Sequence, residues 1–404
     1  MMVQEPAQDA QCQIEGLHYR TGSPVRIRMI CGKIVAIEEL AQDEYTSGLP
    51  WVAPGLVDLQ INGCFGIDFN TPPIGERAIH DATRQLWVNG VTTYYPTVIT
   101  NSDDAIEEMV AAIARACRND GMVNASIAGI HLEGPFISPL DGPRGAHDQA
   151  YVKAPDWALF LRWQQAADGL IRLVTLSPEW EGATDFISRC VESGVMVSIG
   201  HTAASPEQIA RAVQAGAALS THLGNGAHLT LPRHPNYIWE QLAQDQLFAT
   251  VIGDGFHLPA SVLKVFYQVK KERMLLVSDA VYLSGLAPGD YETHIGGRVT
   301  LTEEGRLHLT GNQQLLAGSA QLLRTGVSHM SRTGVCSRSA AWDMASVHPA
   351  HFMRLPTAQG LAVGAPADLL IYSWGEEGQI RIHDVYKEGN HVVESNVISS
   401  SSQA

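Results

Sequence analysis

Six apolar stretches of this chain end on side chains able to bind a cation, carry a proton or donate a hydrogen bond. Gln60 and Asn62 follow 55–59, and Glu133 closes the motif HLEGP after 128–130. His201 follows 195–200, and His222 and Asn225 follow 217–221. Asp254 and His257 follow 248–253, and Asp279 follows 274–278. Four of these carry the most chemistry: Glu133, His201, His222 and Asp279. One carboxylate and two imidazoles suit a borderline-soft divalent cation such as Zn2+. A catalytic zinc uses three protein ligands and keeps a position for water or substrate, which leaves Asp279 beside the metal-bound water. A carboxylate there takes a proton from the water and passes it to a leaving group. The pattern describes metal-assisted hydrolysis of an amide or ester.

Each residue alone also has a structural reading. A histidine at a strand end is commonly hydrogen-bonded to a neighbouring loop. Glu133 could cap a turn or helix, Asp279 could sit in a turn, and Gln60 and Asn62 could close a loop. The functional reading rests on six such positions falling in register with one pattern.

That pattern is an alternation of strands and helices. Strand-like runs lie at 55–61, 91–99, 128–132, 173–176, 195–200, 217–221, 248–252 and 274–277. Helix-like runs lie at 78–89, 103–118, 185–193, 206–215, 259–269 and 319–330. Continuous apolar strands suit a parallel sheet buried on both faces. Eight β-then-α units have the size and rhythm of a (β/α)8 barrel, whose C-terminal strand ends carry the chemistry. A doubly wound sheet gives the same alternation and is the second choice. Short β-rich pieces at 13–19, 25–30 and 33–39, and again at 367–374, 380–387 and 391–394, predict one small domain built from both chain ends. The expected division is 1–53 and 356–404 for that domain and 54–355 for the barrel. The serine-rich tail reads as frayed.

Composition narrows the partners. The 404 residues include 27 Lys plus Arg against 42 Asp plus Glu, a net charge of −15. That balance disfavours nucleic acid and anionic membrane surfaces. Six scattered cysteines without a CxxC pair read as free thiols. No apolar run is long enough to cross a membrane, and no signal-peptide pattern opens the chain, so a cytoplasmic location is expected.

Several motifs, in order, resemble the N-acetylglucosamine-6-phosphate deacetylases of the amidohydrolase superfamily. They are PGLVDLQINGCFGIDFN (54–70), HLEGPF (131–136), IGHT (199–202), THLGN (221–225), DGFH (254–257) and VSDA (277–280). TLSPE (175–179), AGSA (317–320) and GAPADLLIY (364–372) are similar too.

The resemblance implies a (β/α)8 TIM-type barrel with a small β-sandwich from both chain ends. It implies deacetylation of an N-acetylated amino sugar, N-acetylglucosamine 6-phosphate first, with the galacto epimer, an unphosphorylated sugar or another N-acyl amine as the alternative. Gln60 and Asn62 stand where many relatives carry HxH, which implies one divalent ion, expected to be Zn2+, on Glu133, His201 and His222. Asp279 is then general base and afterwards acid. The substrate-contacting positions fall on Asn225 with the adjacent Gly226, on His257, and on Arg233 as the phosphate ligand. Gln60 and Asn62 join this set, and His147 is a candidate for polarising the acetyl carbonyl. A homodimer is implied, with the neighbouring subunit helping to bind phosphate. The loop THLGNGAHLTLPRHPN (221–236) departs from the family's THL-x-NAM, and about two extra residues separate Glu133 from His147.

Overall fold

The computed structural model describes residues 12–293 and 297–394. The first eleven residues and the serine-rich tail lie outside them. Eight parallel strands form one sheet, in chain order: Leu56–Ile61, Val91–Ile99, Ile130–Glu133, Ile171–Leu176, Met196–Ile199, Leu219–Ser220, Phe248–Ile252 and Met274–Val277. The backbone N–H of Asp279 donates to the carbonyl of Gln60 at 2.9 Å, and that of Asn62 to Ala280 at 2.8 Å. These bonds join the last strand to the first and close the barrel, so the doubly wound alternative falls.

The first two strands are buried along almost their whole length, as a sheet covered on one face by helices and on the other by the barrel interior requires. Helices pack outside. Asp103–Asn119 opens on a Ser102 cap, and Pro206–Gln214 opens on a capping box made by Ser205 and Gln208, with proline in its first turn. These caps set where each helix begins, and so the length of the loop that carries the preceding strand-end residue.

Both chain ends build a separate sheet of seven strands. Its order is Asn390–Val393, Ile380–Lys387, Leu369–Trp374, Trp51–Pro54, Cys12–His18, Pro24–Ile30 and Lys33–Glu39. The sheet curls until the Gly32 turn meets the backbone of Ala367, and it encloses a core that includes Ile14, Ile27, Met29, Val52, Leu369 and Ile371. Trp342 pins it to the barrel: its indole N–H donates to the Pro54 carbonyl at 2.9 Å, and its ring stacks on Tyr372 with centroids 4.3 Å apart. Burying a ring of this size removes about 150–250 Å² from water, about 4–6 kcal/mol as an upper bound.

One element is absent from the sequence reading. Between the eighth strand and the helix Leu323–Arg332 lies an antiparallel meander: Gly289–Thr293, Gly297–Leu301, Leu307–Leu309 and Asn312–Leu316. The expected helix at 319–330 therefore starts later. Among the described residues no helix is long and apolar enough to cross a membrane.

Candidate metal centre

The strand ends converge as the pattern predicts. Glu133 is the last residue of the third strand, and His201, His222 and Asp279 each stand two residues past the ends of the fifth, sixth and eighth. All three of the latter have left-handed backbones, with φ of 49°, 28° and 47°. Such conformations cost a non-glycine residue on the order of 1–3 kcal/mol and gather at functional sites. Here they turn each side chain inward over the barrel mouth.

The His222 Nε2 lies 2.9 Å from Glu133 Oε1, the His201 Nε2 lies 3.3 Å from the same oxygen, and the two Nε2 atoms are 3.1 Å apart. Ligands at about 2 Å on a tetrahedral ion stand about 3.3 Å from one another, so the triangle is close to the size of a coordination face. The tautomers fit as well. His201 Nδ1 lies 2.8 Å from the Pro143 carbonyl, which can only accept, so Nδ1 carries the proton and neutral Nε2 presents a lone pair. The donor set fits a divalent cation.

Gln60 and Asn62 hold the carboxylates. The Gln60 amide nitrogen donates to Glu133 Oε1 at 2.9 Å and to Asp279 Oδ1 at 3.1 Å, and Asn62 donates to the same Asp279 oxygen at 2.8 Å. Burial pushes Asp279 up to about 6, against the opposing pull of His222. Burial also acts to raise Glu133, but the adjoining His201 and His222 imidazoles outweigh it and hold that carboxyl well below its ordinary range. Burial acts to lower His222, and the Glu133 carboxylate overcomes it, so His222 is raised.

Three further predicted residues line the same cavity of about 420 Å³: Asn225, Gly226 and His257. His257 Nδ1 is held by Asp254 at 2.7 Å. His147 lines it too, its Nδ1 2.8 Å from the Thr100 hydroxyl and its ring edge-on to His201 with centroids 4.4 Å apart. A nitrogen of His147 comes within 4.8 Å of the ligand atoms of Glu133 and His201. Burial, reinforced by His201, pushes this imidazole down to about 3, so it is neutral at physiological pH.

Arg233 is placed differently. It is exposed, it does not line the cavity, and no Arg or Lys among the described residues does. Two groups escaped the sequence reading. Thr100 follows the second strand and would have emerged had that strand end been read like the others. The roof, with Leu307, Gln314 and Leu316, comes from the meander, whose EEG and TGN turns between β-rich runs were its available signal.

Comparison with known proteins places the chain. The amidohydrolase family profile matches residues 51–392. N-acetylglucosamine-6-phosphate deacetylase of Mus musculus is 32% identical over 344 residues, 82% of each chain. The chain belongs to this family of amidohydrolases. The enzyme of the same name from Bacillus subtilis (strain 168) is 32% identical over 262 residues, 63% of this chain and 65% of that one. Among solved structures, a mutant N-acetyl-D-glucosamine-6-phosphate deacetylase from Mycobacterium smegmatis, in complex with N-acetyl-D-glucosamine-6-phosphate, is similar with a TM-score of 0.82 and 27% identity. It covers 95% of this chain and 100% of that one. Amidohydrolases of this family are metal-dependent hydrolases, and the cluster of Glu133 and histidines at the barrel mouth is a possible metal site.

Proposed function

We propose that this amidohydrolase removes the acetyl group of N-acetylglucosamine 6-phosphate, yielding acetate and glucosamine 6-phosphate. The observation that carries the reading is the convergence of Glu133, His201 and His222 beside Asp279 in the floor of one cavity. Glu133, His201 and His222 would hold a single divalent ion, Zn2+ by its ligand preferences, which would supply a Lewis acid and a lowered pKa for water.

The remaining chemistry belongs to the chain. Asp279, fixed by Asn62 and Gln60, takes the proton of the attacking water and returns it to the amide nitrogen, because an amine anion is too poor a leaving group. Neutral His147, oriented by Thr100, is placed to hydrogen-bond the acetyl oxygen. Asn225, Gly226 and His257, the last oriented by Asp254, contact the sugar. Arg233 serves the phosphate at a homodimer interface, where the neighbouring subunit helps bind that group. The described residues of 54–355 form the catalytic barrel, and those of 1–53 with 356–404 form the small domain. The reaction is assigned to the cytoplasm.

A second reading keeps the metal site and changes the acyl amine. The observation favouring it is that no Arg or Lys among the described residues lines the cavity. One experiment separates the two: amine release from N-acetylglucosamine 6-phosphate, from the unphosphorylated sugar and from the galacto epimer, on zinc-loaded and chelator-stripped protein. Fast, metal-dependent release confined to the first substrate supports deacetylation of the phosphosugar. Metal-bound protein that releases nothing from any of the three sinks it.

A further inference from the structure

The end of the fourth strand carries no candidate ligand, yet its motif TLSPE (175–179) lies between the strand ends that carry Glu133 and His201. Three of its side chains reach sideways. Thr175 Oγ1 lies 2.7 Å from the hydroxyl of Thr221, which precedes His222. Ser177 Oγ lies 2.8 Å from the hydroxyl of Thr202, which follows His201. Glu179 reaches furthest. Its Oε1 accepts from the Ser138 hydroxyl at 2.8 Å. Its Oε2 accepts from the Ser177 hydroxyl at 2.8 Å and from the Ala203 N–H at 2.7 Å.

Those three donors come from the loops that follow the third, fourth and fifth strands. Ser138 and Ser177 are fully buried, and Glu179 is half-buried. An ionised carboxylate only accepts, through two oxygens, so one such group can gather donors from several loops. Hydrogen bonds to a charged acceptor are also roughly twice as strong as neutral ones.

The loops so joined are the ones that fix His201. The Ser138 N–H donates to the His201 carbonyl at 2.8 Å, and the Pro143 carbonyl, in the same loop as Ser138, holds the ring at Nδ1. His201 needs this support, because its left-handed backbone, with φ of 49°, persists only where the surroundings over-determine it. Glu179 ties the loop that grips His201 to the turn on which His201 sits.

We propose that Glu179 is a positioning residue for His201: it fastens the loop carrying Ser138 and Pro143 to the turn at 201–203, and so sets where His201 Nε2 points. The proposal rests on the reading of Glu133, His201 and His222 as metal ligands.

The test titrates zinc into the metal-free full chain by calorimetry and records the visible absorption of the cobalt(II) form, which reports ligand geometry. Thermal unfolding of the metal-free proteins is the control for a general loss of structure. Glu179→Ala should weaken zinc binding by about ten- to a hundredfold, the loss typical of disturbing a ligand's outer support, and should alter the cobalt spectrum. Glu179→Gln should recover most of the affinity, since its amide oxygen can still accept from Ala203 while the Ser138 hydroxyl turns to accept from the amide nitrogen. Ser138→Ala cuts only the link to the loop and should weaken zinc about tenfold, so it carries the test if Glu179→Ala does not fold. Wild-type affinity and spectrum in Glu179→Ala, or in Ser138→Ala where that variant carries the test, overturn the proposal. So does Glu179→Gln binding no better than Glu179→Ala. A wild type that takes up neither ion sinks the metal reading itself, and this proposal with it.

Discussion

The Nε2 atoms of His201 and His222 face one another at 3.1 Å with their rings at 88°. Since His201 commits its Nδ1 proton to the Pro143 carbonyl, its Nε2 lone pair points at its neighbour. Two imidazoles so placed are reconciled by a proton on His222 or by a cation between them.

That relationship makes cation binding pH-dependent. Without the ion, His222 is raised above the ordinary imidazole range and Asp279 is pushed up to about 6. Both groups therefore hold protons near and below neutrality that a bound cation expels. Affinity should rise with pH across this range and fall as pH drops through about 6. Zinc calorimetry on metal-free protein at pH 5.5 and 7.5, in buffers of different ionisation enthalpy, reads the proton release directly. Equal affinity and no release would contradict the assigned ligands.

Asp279→Asn keeps the volume and the hydrogen-bonding reach of the side chain but removes its basicity. Turnover should drop by about 10²–10⁴-fold or more while zinc content stays at the wild-type level. Near-normal turnover would remove Asp279 from the mechanism, and loss of zinc would make it a ligand instead.

Gly226 supports His201 by having no side chain. Its φ is +55°, and a Cβ built there would stand 2.7 Å from His201 Nδ1, the atom that holds Pro143. Gly226→Ala should displace the imidazole and weaken zinc binding by about 10–100-fold, the loss typical of disturbing a ligand's outer partner. Thermal unfolding of the metal-free variant should change far less. Wild-type zinc affinity in Gly226→Ala would show that the loop yields freely.

The small domain holds a buried ion pair, Lys387 Nζ to Asp368 Oδ2 at 2.6 Å, with Glu388 N–H on the other carboxylate oxygen, and the same ammonium reaches Thr93 of the barrel at 3.4 Å. Asp368→Ala strands the ammonium in the interior and should destabilise the fold by about 3–5 kcal/mol in denaturant unfolding. The double change Asp368→Leu, Lys387→Met should recover most of that loss. A single variant as stable as wild type would show the pair to be solvated.

Much of this protein was legible in one dimension. Strand-end positions are set by local pattern, since an apolar run ends where a polar residue must meet solvent or a site. That is why Glu133, His201, His222 and Asp279 could be aligned without coordinates, and why the β-rich pieces at each end could be assigned to one domain. The tertiary structure alone decided which nitrogen of His201 and of His147 faces inward, because that depends on Pro143 and Thr100, distant in sequence from the rings they orient. It alone showed the meander closing over the cavity, since alternation names strands but not the layer they join. It also separated Arg233 from the cavity wall, because the direction of an exposed loop side chain follows from packing around it and leaves no periodic mark in the sequence.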